Sequence, residues 1–211
     1  MFYRPRLDRH GLPHNPFNAI VGPRPIGWIS SLSPDGVANL APFSFFNGVS
    51  YTPPQVIFSG GARPHEKNAP WDPKDSVANV EATGEFVCNI ATWELREQMN
   101  LTSVEGPPDL DEFDFADLTK APSELVAPPR VAESPIHLEC RLVQTVPLKA
   151  WEGYGHNTLV IGEVVGIHID ERVLTDGLID YAKLRPIARL GYRGDYTVVD
   201  ETFEMIRPTW P

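Results

Sequence analysis

Proline constrains the fold of this chain more than any other residue, because 22 prolines are spread through its 211 residues. That is roughly twice the average usage. A proline ends or kinks a helix, but it is accepted in turns and at the edges of sheets. The spacing therefore predicts many short strands with a few short helices, and it excludes a helical bundle. Because closure leaves no exposed sheet edge, an antiparallel β-barrel is the expected architecture.

The charge balance limits the class of partner. The chain has 28 acidic and 18 basic residues, which gives a formal net charge of −10. Nucleic acids and anionic membrane surfaces attract basic stripes, so neither is expected as a partner. No apolar run reaches the roughly 18 residues that a membrane-spanning helix needs.

The two cysteines indicate a reducing compartment. Cys88 and Cys140 both lie in apolar segments that are typical of strands, and strict alternation puts Cys140 on the apolar face of its segment. Buried free thiols are therefore expected, rather than a disulfide or a nucleophile. The N-terminus lacks the apolar stretch of a signal peptide, so a cytoplasmic location is predicted.

Turn residues and apolar runs divide the chain into the elements of one predicted domain, residues 1–211. Residues 1–23 are expected to form an irregular N-terminal arm, and residues 102–130, with their proline pairs and acidic side chains, a long surface excursion. Short helices are predicted over residues 76–83 and about 92–99. The predicted strands are 26–32, 37–41, 44–50, 55–59, 85–91, 136–146, 158–169 and 196–199.

Metal sites and chemistry that depends on side chains alone find little support in the sequence. His10 and His14 have the spacing of two ligands on a helix, but Gly11 and Pro13 between them disfavour a helix there. The acidic residues 109–117 lack the glycine of a calcium-binding loop. The sequence contains no Walker loop, no dinucleotide-binding glycine motif and no nucleophile elbow. No metal site is therefore predicted.

Local charge favours one ligand chemistry, that of a phosphate. Arg63 and Lys74 precede a helix start that either Asp75 or Ser76 can cap. Free N–H groups at a helix start, a hydroxyl group and nearby cations together form a phosphate site. From the residues alone, ordinary caps and surface charges remain the alternative.

Several segments resemble, in the right order, those of the flavin reductase-like family. The family has the FMN-binding split-barrel fold and includes flavoredoxin-like proteins. The resemblance implies a Greek-key antiparallel split β-barrel with short flanking helices. The matching segments are RPIGWISS at 24–31, ANLAPFSFFN at 38–47, YTPPQV at 51–56, KDS at 74–76, EATGEFVCNI at 81–90, IGEV at 161–164 and RLG at 189–191.

The resemblance also implies FMN as the cofactor, in a groove at the interface of a homodimer. Residues of the strand-turn-strand region are expected to hold the flavin ring, largely through backbone groups. The expected ring contacts are Ser30, Ser31, Asn39, Leu40, Ala41, Pro42, Phe43, Ser44, Phe45 and Asn47. The expected phosphate contacts are Ser59, Arg63, Lys74 and Ser76.

The expected nicotinamide region departs from the family pattern. Many family reductases have a histidine five residues before the glycine of the IGEV block, and this chain has Asn157 there, with His156 one residue earlier. In a strand, a shift of one residue turns a side chain to the other face, so His156 and Asn157 are both weak candidates. The loop 60–73 is a second departure, because it reads as an insertion beside the phosphate residues.

The resemblance predicts a flavin reductase that passes hydride from NADH or NADPH to FMN, with a partner monooxygenase or another molecule as electron acceptor. Such a reaction depends on the cofactor and needs no catalytic side chain. Two other functions remain open. One is a flavoredoxin-like electron carrier without NAD(P)H activity, and the other is a non-catalytic ligand-binding or structural dimer.

Overall fold

The protein is mainly β with short helices at its periphery, as the distribution of prolines predicts. A computed structural model describes residues 1–63, 72–107, 109–152, 154–192 and 194–210. Their strands are β1 (Arg24–Pro25), β2 (Gly27–Leu32), β3 (Ala38–Phe43), β4 (Phe46–Tyr51), β5 (Pro54–Arg63), β6 (Asp72–Pro73), β7 (Glu85–Ile90), β8 (Lys120–Ala121), β9 (Arg130–Val131), β10 (Ile136–Pro147), β11 (Asn157–Ile169), β12 (Leu174–Thr175), β13 (Leu178–Ile179), β14 (Ile187–Arg189) and β15 (Tyr196–Val198). The helices are α1 (Phe17–Ile20), α2 (Asp75–Thr83), α3 (Arg96–Leu101), α4 (Glu112–Phe115) and α5 (Tyr181–Leu184), with a 3-10 turn at Glu171–Val173.

The main sheet is antiparallel and curves until its ends approach each other. Its strand order is β3-β2-β7-β10-β11-β5-β4, with β6 paired to β5. Near the two ends, a Cβ placed on Gly60 of β5 would lie 3.3 Å from the ring of Phe43 in β3. The amide of Ser59 also donates to the carbonyl of Phe45 at 2.9 Å. The sheet therefore forms the expected barrel.

Two apolar clusters, one on each face of β2, build the core. Side chains alternate across a strand, so Trp28 packs in one cluster while its neighbour Ile29 packs in the other. The second cluster contains Phe58, Cys88 and Cys140. Both cysteines are buried and free, as predicted.

Helix α2 covers one face of the barrel and ends where the sequence predicts. Val77 and Val80 pack into the second cluster, and Gly84 closes the helix with φ 76°, a conformation that glycine adopts without strain. The prediction of the cap is wrong. The N-cap position is occupied by Lys74, whose side chain makes no capping bond, because the helix already begins at Asp75.

The second predicted helix begins later than expected. Thr92 is a good capping residue, but it forms a β-bridge with Pro186, and the amide of Trp93 donates to the carbonyl of Arg185 at 2.9 Å. These long-range bonds hold the chain extended where local propensity favours a helix. Helix α3 therefore spans Arg96–Leu101 instead of 92–99.

The excursion at 102–130 is only partly a surface segment, which corrects the prediction. Phe113 is fully buried, and it packs with Ala116 and Leu118 against Trp28. Asp111 caps the short helix α4 by accepting from the amide of Phe113 at 3.0 Å. The acidic and proline-rich composition therefore concealed a segment that completes the core.

The N-terminal arm is mostly exposed and is anchored at its end. The guanidinium group of Arg24 donates to the carbonyls of Asn18, Val21 and Leu190, which joins the arm to the β14 region. Among the described residues, no helix combines the length and the apolar character needed to cross a membrane.

Candidate functional site

A small pocket lies between the edge strand β3 and the beginning of α2. Residues 102–105, which follow α3, close it from a third side. The pocket encloses about 60 Å³. Its lining residues from β3 and α2 are Asn39, Ala41, Pro42, Phe43, Lys74, Asp75 and Ser76. The structure therefore brings together one predicted ring-binding segment and two predicted phosphate contacts.

A buried carboxylate, that of Glu112, organises this pocket. Glu112 comes from α4 and is 6% exposed. Its Oε2 accepts from the side-chain Nδ2 of Asn39 and from the backbone amide of Leu40, both at 2.9 Å. Burial raises the pKa of Glu112, the two hydrogen bonds oppose that rise, and the nearby charge of Asp75 adds to it.

Asn39 extends these hydrogen bonds to α2 and β2. Its Oδ1 accepts from the hydroxyl of Ser76 at 2.7 Å and from that of Ser31 at 3.4 Å. The amide of Asn79 in turn donates to Ser31 at 3.2 Å. Asn39, Ser31 and Ser76 were predicted to contact the cofactor, and in this structure their side chains bond to one another.

Ser30 lies on the opposite face of β2 from Ser31. Its hydroxyl donates to the carbonyl of Pro129 at 2.6 Å and accepts from the side-chain amide of Asn89 at 3.3 Å. Ser30 and Leu40 are both fully buried. Their contact with a cofactor stays a prediction, and the structure gives both residues a role in the scaffold.

The turn after β3 and the start of β4 carry the more exposed members of the predicted ring-binding set. Ser44 is half-buried, while Phe45 and Asn47 are exposed. The guanidinium group of Arg24 lies 5.8 Å from the centre of the Phe45 ring. An exposed aromatic ring beside a cation is a surface on which a planar ligand or a second chain can pack.

Ser59 is the predicted phosphate contact whose side chain most clearly lacks a partner. Its hydroxyl is buried and has no hydrogen-bond partner within the described structure. A buried hydroxyl without a partner costs about 1–3 kcal/mol, and a phosphate oxygen is an acceptor that would satisfy it. This orphaned hydroxyl therefore fits a phosphate ligand. The side chain of Arg63 and the loop residues 64–71 lie outside the described structure.

The two candidates for the nicotinamide region occupy different positions. Asn157 is the first residue of β11 and pairs with Gly61 of β5, two residues along from the pair formed by Leu159 and Ser59. Its side-chain Oδ1 would lie 3.0 Å from a Cβ on Gly61. His156 precedes the strand and is exposed.

A second buried polar cluster lies on β10 and β11, and none of its residues was predicted as a site residue. Glu139 is fully buried, and His168 lies 2.5 Å from its Oε1. Burial acts to raise the pKa of Glu139, but hydrogen bonds from the amide of Glu124, from His168 and from the amide of Leu125 outweigh it and lower the pKa. Within the described ranges, no group of three or more His, Cys, Asp or Glu side chains could hold a metal ion.

His137 belongs to the same cluster. Its Nε2 donates to the carbonyl of Val131 at 2.8 Å, while its Nδ1 is buried without a partner among the described residues. Burial lowers the pKa of His137 from 6.5 to about 4. The hydrogen bond to the Val131 carbonyl opposes this lowering, whereas the nearby charges of Arg130 and His168 add to it. The imidazole is therefore neutral at physiological pH.

Sequence reasoning missed Glu112 and Asn79 as parts of the candidate site. Glu112 lies 73 residues from Asn39 along the chain and stands among other acidic residues, so no local pattern distinguishes it. Asn79 is one turn of helix after Asp75 and donates to Ser31 of β2, and its place between the matching segments at 74–76 and 81–90 was the only available signal.

Comparison with known proteins decides the family. The model of the flavin reductase like domain matches residues 22–187. The chain belongs to the flavin reductase-like family. An uncharacterised protein of Aquifex aeolicus, 40% identical over 180 residues, covers 85% of this chain and 85% of its own length.

Solved structures support the fold of this flavin reductase-like protein. Component B of nitrilotriacetate monooxygenase from Bacillus cereus is 31% identical and superposes with a TM-score of 0.86 over 97% of this chain and 98% of that one. A putative flavin reductase with a split barrel domain, from Shewanella frigidimarina, is 25% identical with a TM-score of 0.76, over 90% and 89% of the two chains. The predicted family and the predicted split-barrel fold are both confirmed.

Proposed function

We propose that this flavin reductase-like protein binds FMN and transfers hydride to it from NADH or NADPH. The observation that carries the proposal is a shared pocket, lined both by residues 39 and 41–43 of β3 and by residues 74–76 at the start of α2. These are the segments that the family resemblance assigns to the flavin ring and to the phosphate. The family model spans both of them.

In this proposal, β3 binds the flavin ring. A flat amphipathic ring needs apolar walls and a few fixed hydrogen-bonding groups at its polar edge. Ala41 and Pro42, both half-buried, offer apolar surface, and the edge position of β3 leaves backbone carbonyls on its outer side. When bound, the flavin supplies the hydride acceptor, and the protein contributes binding and orientation.

The phosphate of FMN would bind near the start of α2. Lys74 is half-buried at the N-cap, where its cation and the positive end of the helix dipole favour an anion. Ser76 lies two residues further, and the buried hydroxyl of Ser59 lacks a partner. We assign Lys74 the largest share of phosphate binding, because it is the lysine that lines the pocket.

We also propose that the functional unit is a homodimer. The pocket of about 60 Å³ is far smaller than the roughly 300–1,000 Å³ that ligand sites occupy. A second chain placed against β3 and the exposed Phe45 would deepen it into a groove. In that arrangement each protomer would complete the site of the other, as a symmetric interface allows.

The reduced flavin, or its electrons, would pass to a partner oxygenase or to another acceptor. Support comes from the name of one structural neighbour, which is a component of a monooxygenase. We expect this reaction in the cytoplasm, where buried free thiols such as Cys88 and Cys140 remain reduced.

The test is the visible absorption spectrum of the purified protein after reconstitution with FMN. The sample is kept anaerobic and is recorded before and after addition of NADH, and separately of NADPH. Rapid loss of the flavin band near ~450 nm, a property of the flavin itself, is expected and identifies the donor. The control is free FMN with the same donor and no protein.

Either of two results would contradict the proposal. Flavin that stays bound without being reduced by NADH or NADPH would indicate an electron carrier that receives electrons from another protein. Absence of any retained flavin would indicate a non-catalytic dimer or the binding of another ligand.

A further inference from the structure

We propose that Glu112 is a positioning residue for the flavin site. Its carboxylate, with Asn39, joins β3 to the beginning of α2, and we call this set of bonds the Glu112 latch. The inference rests on the proposed function. In it, the latch sets the distance between the strand that binds the flavin ring and the helix that binds the phosphate.

The first step concerns the backbone of β3. β3 is the edge strand of the main sheet, so within the described residues no neighbouring strand accepts from its outward N–H groups. The amide of Leu40 is one of these groups, and Glu112 Oε2 accepts from it at 2.9 Å. Glu112 therefore takes the place of a neighbouring strand at the point where β3 faces the pocket.

The second step concerns Asn39. One end of its amide donates to the carboxylate of Glu112, and the other end accepts from Ser76 at 2.7 Å. A side-chain amide has a donor end and an acceptor end, so the bond to Glu112 fixes which end faces α2. Without Glu112, Asn39 is free to rotate away from Ser76, and the strand and helix lose this hydrogen-bonded connection.

The third step is that the helix carrying Glu112 is held firmly in the fold. The helix that carries Glu112 is capped by Asp111, and the next residue, Phe113, is fully buried in the core. A buried carboxylate is costly unless hydrogen bonds compensate it, and it adds little to stability compared with an apolar side chain. What it provides at this position is a defined geometry for β3 and α2.

The experiment compares FMN affinity, measured by quenching of flavin fluorescence, across variants of the full chain. Glu112→Leu fills the same space but cannot accept hydrogen bonds, and Glu112→Ala leaves the space empty. Glu112→Gln keeps a carbonyl oxygen that accepts from Asn39 and Leu40. Asp114→Ala is the matched control, because it removes an exposed carboxylate of the same helix that pairs with Lys120. Amide exchange at Leu40 is followed in parallel.

We expect Glu112→Leu and Glu112→Ala to weaken FMN binding at least about tenfold and to speed exchange of the Leu40 amide, in line with loss of hydrogen bonds to a charged group. Glu112→Gln should restore both readouts to within about threefold of the parent protein, and Asp114→Ala should change neither. If Glu112→Ala does not fold, Glu112→Leu provides the test.

Three outcomes would overturn the inference. Unchanged FMN affinity in Glu112→Leu, while the parent protein binds FMN, rejects the latch and leaves the proposed function intact. Weakening by Glu112→Gln equal to that of Glu112→Leu would assign the effect to charge instead of position. A parent protein that binds no FMN rejects the proposed function and this inference together.

Discussion

Replacing His137 should flatten the dependence of stability on pH. The imidazole is 4% exposed, and burial lowers its pKa to about 4 from 6.5. In the unfolded chain it binds a proton below about pH 6.5, whereas in the fold it stays neutral until about pH 4. Acid therefore favours the unfolded state throughout this window.

The two pKa values give the magnitude. Linkage predicts that His137 alone lowers the free energy of unfolding by about 2 kcal/mol between pH 7 and pH 5, and by about 3 kcal/mol by pH 4. His137→Leu removes this contribution. It also leaves the carbonyl of Val131 without its donor, so the variant should be less stable at pH 7 and yet lose less stability on acidification.

Urea unfolding at pH 7 and pH 5 measures both effects. The difference between the two pH values should be about 2 kcal/mol smaller in His137→Leu than in the parent protein. His156→Gln serves as the control, because His156 is exposed, and its curve should parallel that of the parent. Parallel curves for the parent protein and His137→Leu would refute the reasoning that burial excludes the proton.

Three further predictions concern the cofactor, the assembly and the packing. In binding titrations, Lys74→Ala should weaken the binding of FMN about tenfold and that of riboflavin little, since only FMN carries the phosphate. Equal weakening of both would show that Lys74 does not contact the phosphate. Light scattering at micromolar concentration should give twice the mass of one chain, and a flavin-bound monomer would contradict the shared groove. Gly162→Ala should destabilise the protein by about 1–3 kcal/mol in urea unfolding. The new Cβ would lie 2.3 Å from Phe86, whereas Gly166→Ala, with its nearest neighbour at 3.4 Å, should cost less.

Local patterns predicted the seven strands in the order of the main sheet well, because alternation and turn residues act over a few neighbours. The turn at Ser33–Gly36 is one example: the amide of Gly36 donates to the carbonyl of Ser33 at 2.9 Å, and β3 follows at once. Gly84 likewise marked the end of α2 correctly, since its positive φ is a purely local property. These features needed no knowledge of the rest of the chain.

Long-range contacts account for what the sequence did not predict. Thr92 forms a β-bridge with Pro186, so the helix expected from residue 92 begins four residues later, at Arg96. Glu112 reads as one more acidic surface residue until the fold brings it to Asn39. Family resemblance located β3 and the start of α2, but it carried no information about the side chain that joins them.

The outer side of β3 has a consequence for how two copies of the chain can meet. On this side the amide of Leu40 already donates to Glu112. The next residue whose backbone points to this side, Pro42, has no N–H group. A second chain therefore cannot extend the sheet by adding a strand across Leu40 and Pro42. A copy that approaches here has to associate mainly through side chains, so two sheets cannot join at these residues into a continuous β-ribbon.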